Sequence, residues 1–245
     1  MKYMGSKNRL SKELAPIIQS YIDNNNITKY LEPFVGGGNM IDKIRCKNRY
    51  GSDSHKYLIA LLKQAQRDAS VFPLHISEEE YIKVRNNKND YPDWYVGLVG
   101  FCATFSGQWF NGYARGFKSD KITPRDTPNE AIRNIIKQAP SLKDIKLNCC
   151  DFRDIKNIKN FVIYNDPPYR NTTKYSTENF PYEEFYDWCR VMSKDNIVLI
   201  SEYNMPSDFE CIWSKQITTF IDYNRGTDDD KNNRVEKLFI YKGTK

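Results

Sequence analysis

Helical and extended apolar patterns alternate along the first 68 residues, and that alternation restricts the fold more than any other feature of the chain. Leu10, Leu14, Ile17, Ile18, Tyr21 and Ile22 recur at helical spacing, and Asp23-Asn24-Asn25-Asn26 stops the pattern. Tyr30-Leu31-Glu32-Pro33-Phe34 reads as a buried strand that runs into Val35-Gly36-Gly37-Gly38. Tyr50-Gly51-Ser52-Asp53 reads as a second short strand, and Leu58, Ile59, Leu61, Leu62 and Ala65 mark the next helix. Helix, strand, glycine turn, strand, helix is the order of an α/β protein with a parallel sheet.

The rhythm is absent between about residues 70 and 142. Ser77-Glu78-Glu79-Glu80 predicts a capping box opening a helix. Residues 101–117 are rich in aromatics and glycine, and Thr127-Pro128 predicts the start of a helix that Pro140 ends. The rhythm then returns. Strands are predicted at Ile145–Cys150, Phe161–Tyr164 and Ile197–Ser201, with a helix lined by Phe185, Trp188, Cys189 and Met192. Ile212–Ile221 and Leu238–Tyr241 read as a closing hairpin around a charged loop, Asn224–Arg234. The expected organisation is one domain from 1–69 and 143–245, interrupted by an insertion over 70–142.

Bulk properties exclude more than they establish. A chain of 245 residues suits one α/β domain with an insertion, and its net charge of +6 is compatible with nucleic acid without requiring it. No stretch is apolar enough to span a bilayer and the start lacks a signal-peptide core, so a cytoplasmic location is expected. The six cysteines are scattered, form no CxxC pair, and have only His55 and His75 to join them, so neither a disulfide framework nor a zinc site is expected.

Two turns carry chemistry. In Glu32-Pro33-Phe34-Val35-Gly36-Gly37-Gly38, glycines after a strand let backbone approach a ligand. Asp53 ends the neighbouring strand, where its carboxylate can accept ribose hydroxyls or cap the segment from Ser54 to Arg67. The spacing is not G-x-G-x-x-G, so dinucleotide binding fits poorly. The second turn, Asn165-Asp166-Pro167-Pro168-Tyr169, is sharper. Two prolines after a buried strand make it rigid. The Asp166 carboxylate and the Pro167 carbonyl can each accept one hydrogen of an exocyclic amine, and Tyr169 can stack on a base. A purely structural proline turn is the bland alternative.

Pro-Phe-Val-Gly-Gly-Gly followed by Asp-Pro-Pro-Tyr resembles the Dam-type (class D12) DNA adenine-N6 methyltransferases. Tyr3-Met4-Gly5-Ser6-Lys7 is similar to the family's amino-terminal motif, with Tyr3 where tryptophan is common and Ser6 where a second glycine is common. Asp151-Phe152 resembles the segment that packs on the cofactor's adenine, and Val235–Ile240 the closing strand. The resemblance implies a Rossmann-like methyltransferase fold: a mixed seven-stranded sheet with an inserted, mainly helical target-recognition region. It implies S-adenosylmethionine as methyl donor, with S-adenosylhomocysteine as product. Tyr3, Lys7, Glu32, Pro33, Phe34, Gly36, Gly37, Gly38, Asp53, Asp151, Phe152 and Asp166 would hold the donor. Asp166, Pro167, Pro168 and Tyr169 would form the catalytic turn. Adenine would be flipped out of double-stranded DNA, and no metal would be needed. Within the insertion, Trp109, Asn111, Tyr113, Arg115, Lys118 and Arg125 are the candidate DNA contacts, although the aromatics also read as the insertion's own core. A monomer in the cytoplasm of a bacterium or a phage-infected host is expected. Two rivals stay open: a methyltransferase acting on amines of RNA or protein, and a non-catalytic DNA-binding relative.

Overall fold

The computed structural model describes residues 1–117, 119–170, 180–218 and 233–243. A short one-turn helix (Lys7–Arg9) leads into α1 (Ser11–Asn24), which buries Leu14, Ile18 and Ile22 along one face, as the spacing requires. Then follow β1 (Lys29–Glu32), β2 (Asn48–Asp53), α2 (Lys56–Arg67), α3 (Glu78–Asn86), α4 (Asp93–Cys102) and α5 (Thr127–Leu142). The chain continues through β3 (Ile145–Cys149), β4 (Val162–Asn165), α6 (Tyr182–Met192), β5 (Ile197–Glu202), β6 (Phe209–Thr218) and β7 (Asn233–Tyr241).

The strands form one seven-stranded sheet in the order β3-β2-β1-β4-β5-β7-β6. β1 to β5 are parallel; β7 enters antiparallel between β5 and β6. The sheet is therefore mixed, seven-stranded and Rossmann-like, as expected. From β1 the chain winds outward through β2 and β3, and from β4 it winds the other way. The strand order thus reverses between β1 and β4, the place where open α/β sheets bind ligands.

Both faces are covered, and alternation along the strands decides which residue meets which face. Tyr30, Val162, Tyr164 and Leu199 join a core with α1, α2, α4 and α5. Leu31, Ile163, Val198 and Ile200 join the opposite core with Phe185, Trp188 and Cys189 of α6. The middle segment contributes Phe72, Ile76, Tyr81, Val84, Val96, Leu98 and Val99 to the first of these cores and thus packs against the sheet-bearing unit.

Four local expectations differ from the structure. Ser77 caps α3 through its side chain, which accepts the Glu80 N–H at 3.1 Å, but the Glu80 carboxylate accepts the Tyr95 hydroxyl at 3.2 Å in place of a reciprocal cap. Pro140 does not end its helix. It lies in the last turn of α5, which runs two residues further to Leu142. Helix α4 has no predicted counterpart, because Val96–Cys102 are all buried and leave no polar face to reveal a period. A methyl at Gly97 would meet the Tyr57 carbonyl oxygen at 2.2 Å, so glycine there sets how closely α4 approaches α2. Finally, β6 and β7 begin earlier than their apolar runs suggest, at Phe209 and Asn233. Ile221 and most of the predicted loop, Arg225 and Asp228-Asp229-Asp230 included, lie outside the described residues. Among the described residues, no helix is long and apolar enough to cross a membrane.

Candidate active site at the strand ends

Four parallel strands deliver their carboxyl ends to one place. The turn after β1 is tied to β2 by the Val35 N–H, which donates to the Ser52 carbonyl at 2.8 Å. The Gly36 N–H donates to Asp53 Oδ2 at 3.2 Å, while Asp53 Oδ1 accepts the His55 N–H at 2.9 Å. Helix α2 is capped by His55, whose Nδ1 accepts the Leu58 N–H at 3.3 Å, so the capping role open to Asp53 falls mainly to its neighbour. Burial raises the pKa of Asp53 against the two N–H groups that favour its charged form. β3 joins through the Cys150 N–H on the Asp53 carbonyl at 3.2 Å.

The glycine turn is shaped around the amino-terminal segment. Gly36 has φ +48°, and a methyl there would lie 2.9 Å from Tyr3 Cε1. The Tyr3 ring packs on Phe101 at 5.7 Å, between the turn and α4. Glu32 is 2% exposed and accepts the Tyr30 hydroxyl at 2.7 Å; burial pushes its pKa well up. Phe34 packs on Phe152, with ring centres 5.7 Å apart. Phe152 is buried in the aromatic cluster of the α6 face, whereas Asp151 caps a one-turn helix and pairs with Arg153 at 2.8 Å.

At the end of β4, Asp166 Oδ1 lies 2.9 Å from Lys7 Nζ. Lys7 sits 4.3 Å above the centre of the Tyr169 ring. The Tyr169 hydroxyl donates to Glu236 Oε2 at 2.9 Å, and Glu236 Oε1 is 3.8 Å from Lys7. Tyr203 meets the same ring edge-to-face at 4.7 Å. Burial disfavours the charged form of Lys7, but Asp166 and Glu236 outweigh it and hold the pKa above that of ordinary lysine. Burial raises the carboxyl pKa of Asp166, and the bonds to Lys7 and Tyr169 oppose it. The turn is braced from outside. Tyr182 donates its hydroxyl to the Pro168 carbonyl at 3.1 Å, and the Arg170 N–H donates to Glu202 Oε2 at 3.2 Å.

The predicted insertion residues divide into packed and exposed ones. Trp109 lies edge-on to His55 at 4.4 Å and stacks on Tyr57 at 5.2 Å, and the Tyr113 hydroxyl donates to the Ile76 carbonyl at 2.7 Å. Asn111 is exposed and donates to Gln108 at 2.7 Å. Arg115 pairs with Glu78 and Arg125 with Glu130, all at the surface. Lys118 lies outside the described residues.

A family model for D12 class N6 adenine-specific DNA methyltransferases matches residues 3–220, which include the amino-terminal segment, the glycine turn and the Asp166–Tyr169 turn. The chain belongs to this family. Membership makes it a DNA methyltransferase and accounts for two signature turns at the carboxyl ends of the neighbouring strands β1 and β4. The type II methyltransferase M.MjaIII of Methanocaldococcus jannaschii is 26% identical over 221 residues, covering 77% of this chain and 74% of that protein. Among solved structures, a protein of Thermoplasma acidophilum assigned as a methyltransferase superposes with a TM-score of 0.33 at 10% identity, over 89% of this chain and 69% of that one. SMU.472, also assigned as a methyltransferase and complexed with SAH, gives 0.34 at 12% identity, over 96% of this chain and 54% of that one. Both superpositions are loose.

Three residues around the methyltransferase's Asp-Pro-Pro-Tyr turn escaped the sequence reading: Glu236, Glu202 and Tyr203. Glu236 and Glu202 are 6% and 2% exposed. One signal was available for Glu236. It shares a strand face with Leu238, so an acid occupies an apolar position in a period-two pattern.

Proposed function

We propose that this methyltransferase transfers the methyl group of S-adenosylmethionine to the N6 amino group of an adenine flipped out of double-stranded DNA. The observation that carries the reading is the Asp166–Tyr169 turn at the strand-order reversal, where a half-buried carboxylate and a buried aromatic ring stand side by side. An exocyclic amine is a weak nucleophile because its lone pair is delocalised into the ring. Acceptors at Asp166 and the Pro167 carbonyl favour a pyramidal nitrogen and stabilise the positive charge that develops on it. Tyr169 offers a stacking surface worth about 1–3 kcal/mol per base. Lys7 stands on Asp166 and over that ring, so an entering base must displace it.

The residues across the reversal suit the methyl donor. The glycine turn has positive φ at Gly36 and Gly38, and both oxygens of Asp53 are oriented by backbone N–H groups while keeping lone pairs for hydroxyl donors. Tyr3, Lys7, Glu32, Pro33, Phe34, Gly36, Gly37, Gly38, Asp53, Asp151, Phe152 and Asp166 are the residues assigned to it. The bound donor supplies an electrophilic sulfonium methyl, and the protein's task is to hold the amine in line with it. Segment 70–142 is the proposed target-recognition region, with Arg115 and Arg125 outward and Trp109 and Tyr113 as its packed framework. The enzyme is read as a monomer acting in the cytoplasm.

The test is transfer of labelled methyl to unmethylated duplex DNA, followed by nucleoside analysis. N6-methyladenine is the expected product. Label in structured RNA alone would replace the DNA reading with an RNA one. Cofactor binding with no transfer to either would leave a non-catalytic relative.

A further inference from the structure

Lys7 faces two carboxylates, not one. Its ammonium is 2.9 Å from Asp166 Oδ1 and 3.8 Å from Glu236 Oε1, and the Lys7 and Glu236 side chains are both more than nine-tenths buried. The Tyr169 hydroxyl on Oε2 fixes the Glu236 carboxylate and leaves Oε1 as the oxygen near Lys7. The backbone at Glu236 is held by its pairing with Lys215 of β6, one residue beyond the β5 pairing, and the Tyr169 bond orients its side chain. The arrangement is asymmetric: Lys7 is bonded to the acid of the catalytic turn and poised beside the acid of the closing strand.

A target amine changes the balance. It needs Asp166 as acceptor and the space above Tyr169, both of which Lys7 now occupies. A buried ammonium is not tolerated without a partner. A shift of about 1 Å turns its 3.8 Å approach to Glu236 into a hydrogen bond. We infer that Glu236 is a positioning residue of the methyl-transfer site, the second carboxylate that takes Lys7 when the target amine claims Asp166. The inference rests on the adenine reading above and adds a residue and a movement to it. No covalent bond changes in this step. With Lys7 on Glu236, Asp166 faces the charge developing on the amine undiluted; without Glu236, the ammonium stays beside that charge and opposes it.

The experiment compares wild type, Glu236→Gln, Lys7→Met and the double variant. Methyl transfer to duplex DNA is followed under single-turnover conditions, with cofactor affinity measured separately. Capture of the flipped base is read by 2-aminopurine fluorescence in a duplex substituted at the methylated adenine. Glu236→Gln is expected to slow transfer at least about tenfold and lower base capture, while cofactor Kd stays within about twofold. In the Lys7→Met background the same substitution is expected to cost less than about twofold in base capture, because there is no ammonium to relocate. Wild-type rates in Glu236→Gln, or equal losses with and without Lys7, would overturn the inference. Methyl groups found by nucleoside analysis on a base other than adenine would overturn the reading beneath it.

Discussion

The Lys7 ammonium and the Asp166 carboxylate meet at 2.9 Å, although one comes from the amino-terminal segment and the other from the end of β4. The amino-terminal segment thus closes directly over the Asp-Pro-Pro-Tyr turn. Asp166→Ala is expected to reduce methyl transfer by about 10³-fold or more while cofactor binding persists. Glu236 is at hand to pair Lys7, so the variant is expected to stay folded, with only a modest drop in Tm. Calorimetric cofactor titration and a methyl-transfer assay check this; full activity in the variant would remove Asp166 from the chemistry.

Glycines at positive φ differ in how closely they are packed. At Gly36 an added methyl meets the Tyr3 ring at 2.9 Å, whereas at Gly112, also at positive φ, nothing lies within 4 Å. Gly112→Ala is expected to cost about 1 kcal/mol through backbone strain alone. Gly36→Ala adds displacement of Tyr3 and should cost about 1–3 kcal/mol more, with weaker cofactor binding. Denaturant melts of both variants test the difference; equal losses would mean that Tyr3 yields freely.

Glu202 gives the fold a pH-dependent element. Burial raises its pKa to about 7, against the N–H groups of Tyr203 and Arg170 that favour the charged form. An unfolded glutamate titrates near about 4.3, so between these values the folded chain holds a proton that the unfolded chain has released. Its contribution to stability is therefore complete below the lower value and is lost as pH rises through the upper one. Relative to Glu202→Gln, wild type is expected to lose on the order of 2 kcal/mol of stability, a few degrees of Tm, as pH rises from about 4 to 7. A difference independent of pH would show that Glu202 is ionised throughout.

Arg115 and Arg125 lie at the surface, each with an acidic neighbour. Exposed pairs are weak and cheaply exchanged for phosphate. If both arginines meet the DNA backbone, changing both to Ala should weaken duplex binding and reduce the slope of log K against log salt by up to about 2. Tm should hardly move. Unchanged affinity and slope would take both residues out of the interface.

The alternation of patterns and the two signature turns were legible because they are local. A strand end followed by glycines, or by two prolines, is constrained by its own backbone whatever surrounds it. Those features were enough to give the parallel part of the sheet, the residues at its carboxyl ends and the Asp166–Tyr169 turn, whereas the mixed seven-stranded form was expected from the family resemblance. The sequence did not disclose α4, whose buried length carries no period because α2, α5 and the segment around Trp109 enclose it. Nor did it disclose that the Trp109 ring packs against His55 and Tyr57, or that Arg115 and Arg125 face the surface. Above all it did not connect Glu236 to Tyr169 and Lys7. That triad exists only because the antiparallel β7 enters the sheet beside β5 and carries an acid to the mouth of β4. Backbone preferences are written residue by residue, whereas the charge balance of a buried site depends on which strands the sheet makes neighbours.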